Sequence, residues 1–81
     1  MIKVLFFGQI RELVNTDELM LEPQFEHIQQ LLDFLIQKGD KWQFALQQGK
    51  VLVAVNQVLS GLDTPIQNGD EIAFFPPVTG G

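Results

Sequence analysis

The stretch "EHIQQLLDFLIQKG" (26–39) decides the fold. Ile28, Leu31, Leu32, Leu35 and Ile36 fall three or four residues apart, which puts them on one side of an α-helix. The opposite side carries Gln, Asp and Lys. Gly39 stands where a helix of this length would need a C-terminal cap. A helix with one apolar face must lie against another layer, and the flanking sequence indicates what that layer is.

Upstream, "IKVLFF" (2–7) is short and rich in β-branched and aromatic residues, the composition of a strand. Gly8 ends it. "QIRELV" (9–14) offers Ile10, Leu13 and Val14 for a turn or two of helix. Asn15 to Asp17 is turn chemistry, "ELMLE" (18–22) is a second strand, and Pro23 stops it. Downstream, "DKWQFAL" (40–46) can start a short helix with Asp40 as its N-cap and Trp42, Ala45 and Leu46 turned inward. Gly49 breaks it. "VLVAV" (51–55), "QVLS" (57–60) and "EIAFF" (71–75) are three more strands, with "NGD" (68–70) as a turn before the last. The order is strand, short helix, strand, long helix, short helix, then three strands. That pattern predicts an α+β roll, a mixed sheet of about five strands with one main helix packed across it. The 81 residues suffice for one domain. We place it at 1–75, followed by an extended tail at 76–81.

Strand alternation sorts the side chains onto two faces. Ile2, Val4 and Phe6 share one face, and Lys3, Leu5 and Phe7 the other, which Lys3 marks as solvent-facing. In the last strand Phe74 inward puts Phe75 outward. In "QVLS", Val58 inward puts Leu59 outward. Phe7, Leu59 and Phe75 are therefore expected to form an apolar patch on the open face of the sheet, a candidate docking surface. The alternative is that they are rim residues of the core, since scattered exposed hydrophobes are ordinary.

Composition excludes several function classes. No cysteine is present, so this chain can carry no disulfide, thiolate metal site or cysteine-bound persulfide. The fold stands without staples, which suits a reducing cytoplasm, where we expect the chain. Five Lys plus Arg against ten Asp plus Glu give a net charge of -5. Such a surface repels phosphate backbones and favours basic protein partners over nucleic acid. No apolar run approaches the roughly 20 residues of a membrane span. The opening "MIKVLFFGQIREL" (1–13) is broken by Arg11 and Glu12 and has no small-residue cleavage site, so it is read as a strand rather than a leader.

The body offers little chemistry. His27 stands alone at the start of the long helix, where a cap or a solvated residue is expected. With no second His and no Cys, a metal site has no constituents. Asp70 and Glu71 are adjacent, but Asp is expected beside a turn, and strand neighbours point to opposite faces. Ser60 lacks the flanking glycines of a nucleophile elbow. The glycines of the body are singletons without phosphate-loop spacing. Arg11 reads as a surface helix residue.

One group remains, the C-terminal carboxylate of Gly81, ionised at neutral pH with a reference pKa of about 3.5. It can attack a phosphate of ATP to give an acyl-adenylate, whose acyl carbon then accepts a nucleophile. That requires the tail to thread into another protein's active site. Gly80 and Gly81 have no Cβ and fit a narrow channel. Pro76 and Pro77 favour an extended backbone and lower the entropy lost on insertion. Val78 and Thr79 connect the two pairs. The six residues 76–81 reach about 20 Å at most. On residues alone, a frayed terminus without function is the competing reading.

Three stretches bear a resemblance that separates these readings. "MIKVLFFGQIREL" (1–13), "VAVNQ" (53–57) and "GDEIAFFPPVTGG" (69–81) resemble the small subunit of molybdopterin synthase, the MoaD family of sulfur carriers. The resemblance runs nearly the whole chain, and the terminal motif is its specific part. It implies a ubiquitin-like β-grasp fold. It further implies that an ATP-using activating enzyme adenylates Gly81, and that a sulfur-relay protein converts the product to a thiocarboxylate. The tail, Pro76 to Gly80, then enters the large synthase subunit. There the sulfur attacks cyclic pyranopterin monophosphate on the way to the molybdopterin dithiolene. The implied assembly is a heterotetramer of two small and two large subunits. No cofactor is expected on this chain, and ATP belongs to the activating enzyme. A thiamine-pathway sulfur carrier, a ubiquitin-like protein modifier and a plain interaction module share enough of these features to stand as alternatives.

Overall fold

The computed structural model describes residues 1–47 and 51–77. The break proposed at Gly49 and the tail residues Val78, Thr79, Gly80 and Gly81 lie outside the described residues. Eight elements follow one another: β1 (Ile2–Phe6), α1 (Gly8–Val14), β2 (Glu18–Leu21), α2 (Ile28–Ile36), α3 (Asp40–Ala45), β3 (Leu52–Val55), β4 (Val58–Ser60) and β5 (Glu71–Phe75).

The strands form one five-stranded sheet in the order β2-β1-β5-β3-β4. β1 pairs with β5 in parallel, and the other three pairings are antiparallel. The parallel pair forces a long crossover, and α2 and α3 occupy it, laid over one face. This is the β-grasp arrangement that the resemblance implies.

The helix-side face is the core. Ile2, Val4 and Phe6 of β1, Ile72 and Phe74 of β5, and Ile28, Leu31, Leu32 and Leu35 of α2 are almost wholly shielded from solvent. Phe6 stacks on Phe74 at 6.1 Å between ring centroids and receives Trp42 edge-on at 5.3 Å. Ala45 and Leu46 are buried beside them. Phe25 also joins the core, in contact with Phe34, although no periodicity marked it.

Local chemistry sets the element ends, and three expectations are corrected. Helix α2 spans Ile28–Ile36 and ends on Gln37, before Gly39. Gly39 is instead the N-cap of α3, and its carbonyl accepts the Gln43 N–H at 3.0 Å. Asp40 is the first residue of α3 rather than its cap; its charge there complements the helix dipole. Val58 is not inward in the sense of buried, with 64% of its surface exposed. It lies on edge strand β4, so half of its surroundings is solvent whichever face it takes. Elsewhere the turns behave as their residues dictate. Asn15 closes α1 in the left-handed region at φ 52°, which Asn tolerates. The first amides of α2 find carbonyls in the 62–64 loop: Ile28 N–H donates to Thr64 at 3.1 Å and Gln29 N–H to Leu62 at 2.9 Å.

Candidate functional site

The face of the sheet away from the helices is built by strand register. Lys3, Leu5 and Phe7 alternate with the buried residues of β1, and Glu71, Ala73 and Phe75 do the same in β5. In β3 the partner of Phe75 is Leu52, and that of Ala73 is Ala54. In β4 the partner of Ala54 is Leu59. Three rows therefore cross the open face. One runs Met20, Lys3, Glu71; the next Glu18, Leu5, Ala73, Ala54, Leu59; the third Phe7, Phe75, Leu52.

All three sequence-predicted docking residues lie on this face. Phe7 is 43% exposed and Leu59 66%, whereas Phe75 is half-buried between its neighbours. Their strands are not all adjacent: β3 separates β4 from β5, so Leu59 meets the patch through Ala54 rather than directly. Leu5, Leu52 and the exposed Met20 add to the apolar surface. Leu52 was legible only once β3 was paired with β5, because the patch is a property of register and not of any one strand. The rim carries charge, with Glu18, Lys3 and Glu71 on the same face.

The tail starts from the middle of the sheet. β5 lies between β1 and β3 and ends at Phe75. Pro76 follows, half-buried, with its ring over Gly8. A Cβ on Gly8 would stand 3.1 Å from Pro76 Cγ, and Gly8 has φ 59°, so the residue with no side chain suits this crossing. Pro77 is exposed. The proline pair thus begins at the end of β5, beside the apolar patch.

The remaining candidates have structural roles. His27 is the N-cap of α2, its Nδ1 accepting the Gln30 N–H at 3.4 Å. The Asp70 carboxylate accepts the Gln67 N–H at 2.8 Å and Asn56 Nδ2 at 3.0 Å, tying two turns together. Ser60 Oγ donates to the Val58 carbonyl at 2.7 Å. Arg11 makes a loose ion pair with Asp17 at 3.9 Å on the surface. Among the described residues, no cluster of three or more His, Cys, Asp or Glu could hold a metal ion. No helix among them is long and apolar enough to cross a membrane. Among the described residues the geometry offers an exposed apolar face beside the root of the tail, and no acid–base pair or activated nucleophile.

Comparison with known proteins agrees in length as well as pattern. Residues 4–81 match the model of the ThiS family. The chain is 56% identical over 81 residues to a molybdopterin synthase sulfur carrier subunit from Haemophilus influenzae, covering all of both chains. It is 52% identical to the subunit of the same name from Escherichia coli, again covering both completely. Among solved structures, it superposes on a chain of the complex of subunits 1 and 2 of molybdopterin-converting factor from Helicobacter pylori. That match has a TM-score of 0.69 and 28% identity, and covers 99% of this chain and 97% of the other. The chain belongs to the ThiS family and, within it, to the molybdopterin synthase sulfur carrier subunits.

Proposed function

We propose that this chain carries sulfur on its C-terminal acyl carbon and delivers it inside a larger synthase subunit. The observation that carries this reading is the end-to-end likeness to sulfur carrier subunits in a chain that has no cysteine. A sulfur carrier without a thiol must hold its sulfur elsewhere, and the Gly81 carboxylate is the available acyl group.

The steps follow from carboxylate chemistry. In the activating enzyme the Gly81 oxygen attacks ATP, and pyrophosphate leaves. The acyl-adenylate has AMP as its leaving group; the persulfide of a relay protein displaces it to give an acyl disulfide, and a second thiol cleaves that S–S bond, leaving the thiocarboxylate on Gly81 and a protein disulfide. The charged tail, Pro76 to Gly81, then enters the large subunit. Its sulfur attacks cyclic pyranopterin monophosphate to form a carrier–substrate thioester, and water hydrolyses the acyl–sulfur bond, leaving the sulfur on the pterin and the carrier as the free carboxylate. Two sulfurs per dithiolene require two charged carriers, in keeping with an assembly of two small and two large subunits. Groups that bind the pterin and move protons belong to the large subunit. Phe7, Leu59 and Phe75, with Leu5 and Leu52, form the face on which both enzymes dock. The chain itself binds no cofactor.

Chain length is the test. One residue added after Gly81 moves the carboxylate onward by about 3.5 Å and leaves an amide in its place. Deleting Gly81 draws the carboxylate back by the same step, and reactive geometry tolerates far less. Both variants are expected to melt like the parent and to lose ATP–pyrophosphate exchange, thiocarboxylate formation and pterin conversion together. An extended chain that stays untrimmed and still reacts at the normal rate would end the carrier reading. Intact mass of the chain from its host separates the alternatives. Oxygen-for-sulfur replacement marks a carrier, and a ladder of conjugates marks a protein modifier.

A further inference from the structure

We propose that Asn68–Gly69, in the turn before β5, is a site of spontaneous covalent modification, and that its isoaspartyl product loosens the start of that strand. The site goes beyond the carrier reading above and does not depend on it. Asparagine is chemically labile, and the residue that follows it governs the rate. The chain has three asparagines, followed by Thr16, Gln57 and Gly69. In the reaction a bond forms between Gly69 N and Asn68 Cγ, and the Cγ–Nδ2 bond breaks. Ammonia leaves, taking up the proton lost from Gly69 N. Water then opens the five-membered succinimide at either carbonyl. Opening at Cγ gives aspartate. Opening at the Asn68 main-chain carbonyl gives isoaspartate, with the backbone running through Cβ and Cγ. Glycine alone offers a nitrogen with no Cβ beside it to crowd the attack.

The structure leaves this turn open. Gln67, Asn68 and Gly69 are exposed, and no atom beyond the chain neighbours lies within 4 Å of where a Gly69 Cβ would stand. Gly69 has φ 93°, and the Asp70 N–H closes the turn on the Gln67 carbonyl at 3.1 Å. The nucleophile has one restraint: the Gly69 N–H donates to the Met1 carbonyl at 3.0 Å. Asn68 Oδ1 accepts from the Met1 nitrogen. Both contacts end on Met1, which lies outside β1 and is half exposed. A residue held outside the sheet opens at little cost, and its release frees the nitrogen without unfolding the domain. The other asparagines are poorer sites. Asn56 has both ends of its amide engaged, by Asp70 at 3.0 Å and by the Glu71 N–H at 3.0 Å. Asn15 is followed by the β-branched Thr16. The two products of Asn68 differ in consequence. Aspartate keeps the backbone and an oxygen in the place of Oδ1. Isoaspartate adds a main-chain atom just before the first bonds of β5. These are Lys3 N–H to the Asp70 carbonyl at 3.0 Å and Asn56 N–H to the Glu71 carbonyl at 2.7 Å. A longer turn displaces both carbonyls, at the head of the strand from which Pro76 and Pro77 leave.

The test is incubation of the full chain at mildly alkaline pH in oxygen-labelled water, with peptide mass analysis that separates aspartate from isoaspartate. A free peptide of residues 66–72 gives the unrestrained rate. The folded chain is expected to take up label at Asn68 within about tenfold of that rate. Asn15 and Asn56 are expected to react at least about tenfold more slowly than Asn68. Asn68→Gln should stay unlabelled over the same period, because its longer side chain needs a six-membered ring. The separated isoaspartyl chain is expected to melt several degrees below the parent, whereas freshly purified Asn68→Asp should melt with the parent. Label that appears only under conditions that unfold the domain would overturn the site, as would equal labelling of Asn15 or Asn56. An isoaspartyl chain that melts like the parent would overturn the loosening of β5. So would an equal loss in Asn68→Asp, which would assign the effect to charge.

Discussion

Phe74 and Phe75 are adjacent and chemically identical, yet strand alternation gives them opposite surroundings. Phe74 is fully buried and stacked on Phe6, whereas Phe75 lies on the open face opposite Leu52. Truncating Phe74 leaves a cavity in a close-packed core, a change that typically costs about 3–5 kcal/mol. Phe75→Ala is expected to lower the melting temperature far less and to weaken both partner complexes, by about 2 kcal/mol if the ring is a central anchor. Melts and titrations of the two variants side by side check this. A Phe75→Ala chain that loses stability like Phe74→Ala and binds normally would make Phe75 a core residue. At this scale the sequence was readable where a pattern repeats. Alternation assigned Phe6, Phe74 and Ile72 correctly. It was silent on Phe25, which sits among Pro, Gln and Glu and reaches the core through a loop without period.

Elements are specified more firmly in their middles than at their ends. The apolar stripe of α2 located the helix, but its start was set by contacts outside the stripe: the His27 cap and the 62–64 loop that receives the first amides. The β3–β4 hairpin shows the same division. Two residues, Asn56 and Gln57, connect the strands with φ 51° and 71°. This is a type I′ geometry, which matches the twist of the strands and favours Asn-Gly. Asn56 fits. Its amide N–H donates to the Glu71 carbonyl at 2.7 Å, and its side-chain oxygen accepts the Glu71 N–H at 3.0 Å. Gln57 has a Cβ in the left-handed region, which costs about 1–2 kcal/mol. Gln57→Gly removes that cost and adds some chain entropy to the unfolded state. The net expectation is a stabilisation of about 0.5–1 kcal/mol, read as a higher denaturant midpoint with an unchanged slope. A lower midpoint would show that the Gln57 side chain contributes contacts worth more than the strain.

For the whole molecule the element order implied a mixed sheet under one main helix, but it could not give the strand order. Pairing β1 with β5 joins residues nearly 70 positions apart, and no local pattern encodes which distant strand lies next to which. That pairing sets Leu5 beside Ala73 on the open face, the β3–β5 pairing adds Leu52, and together they put the root of the tail at the centre of the sheet. Charge is also a property of the whole chain. At a net charge of -5, association with basic partner surfaces is expected to slow as salt rises from low to physiological strength. Stopped-flow rates that stay flat over that range would remove long-range steering and leave docking to the apolar face.

The central place of β5 has a mechanical consequence. β1 and β5 run in parallel, so the start of the chain and the root of the tail lie at opposite ends of the sheet. Tension between them runs along the strands rather than across them. It cannot unzip the pair one rung at a time. It loads the rungs from Lys3–Glu71 to Phe6–Phe74 together, in shear, while β3 grips the other edge of β5. If the tail enters an enzyme channel as proposed, it is thereby anchored on a strand gripped along both edges, and the domain keeps its shape while its terminus is tugged.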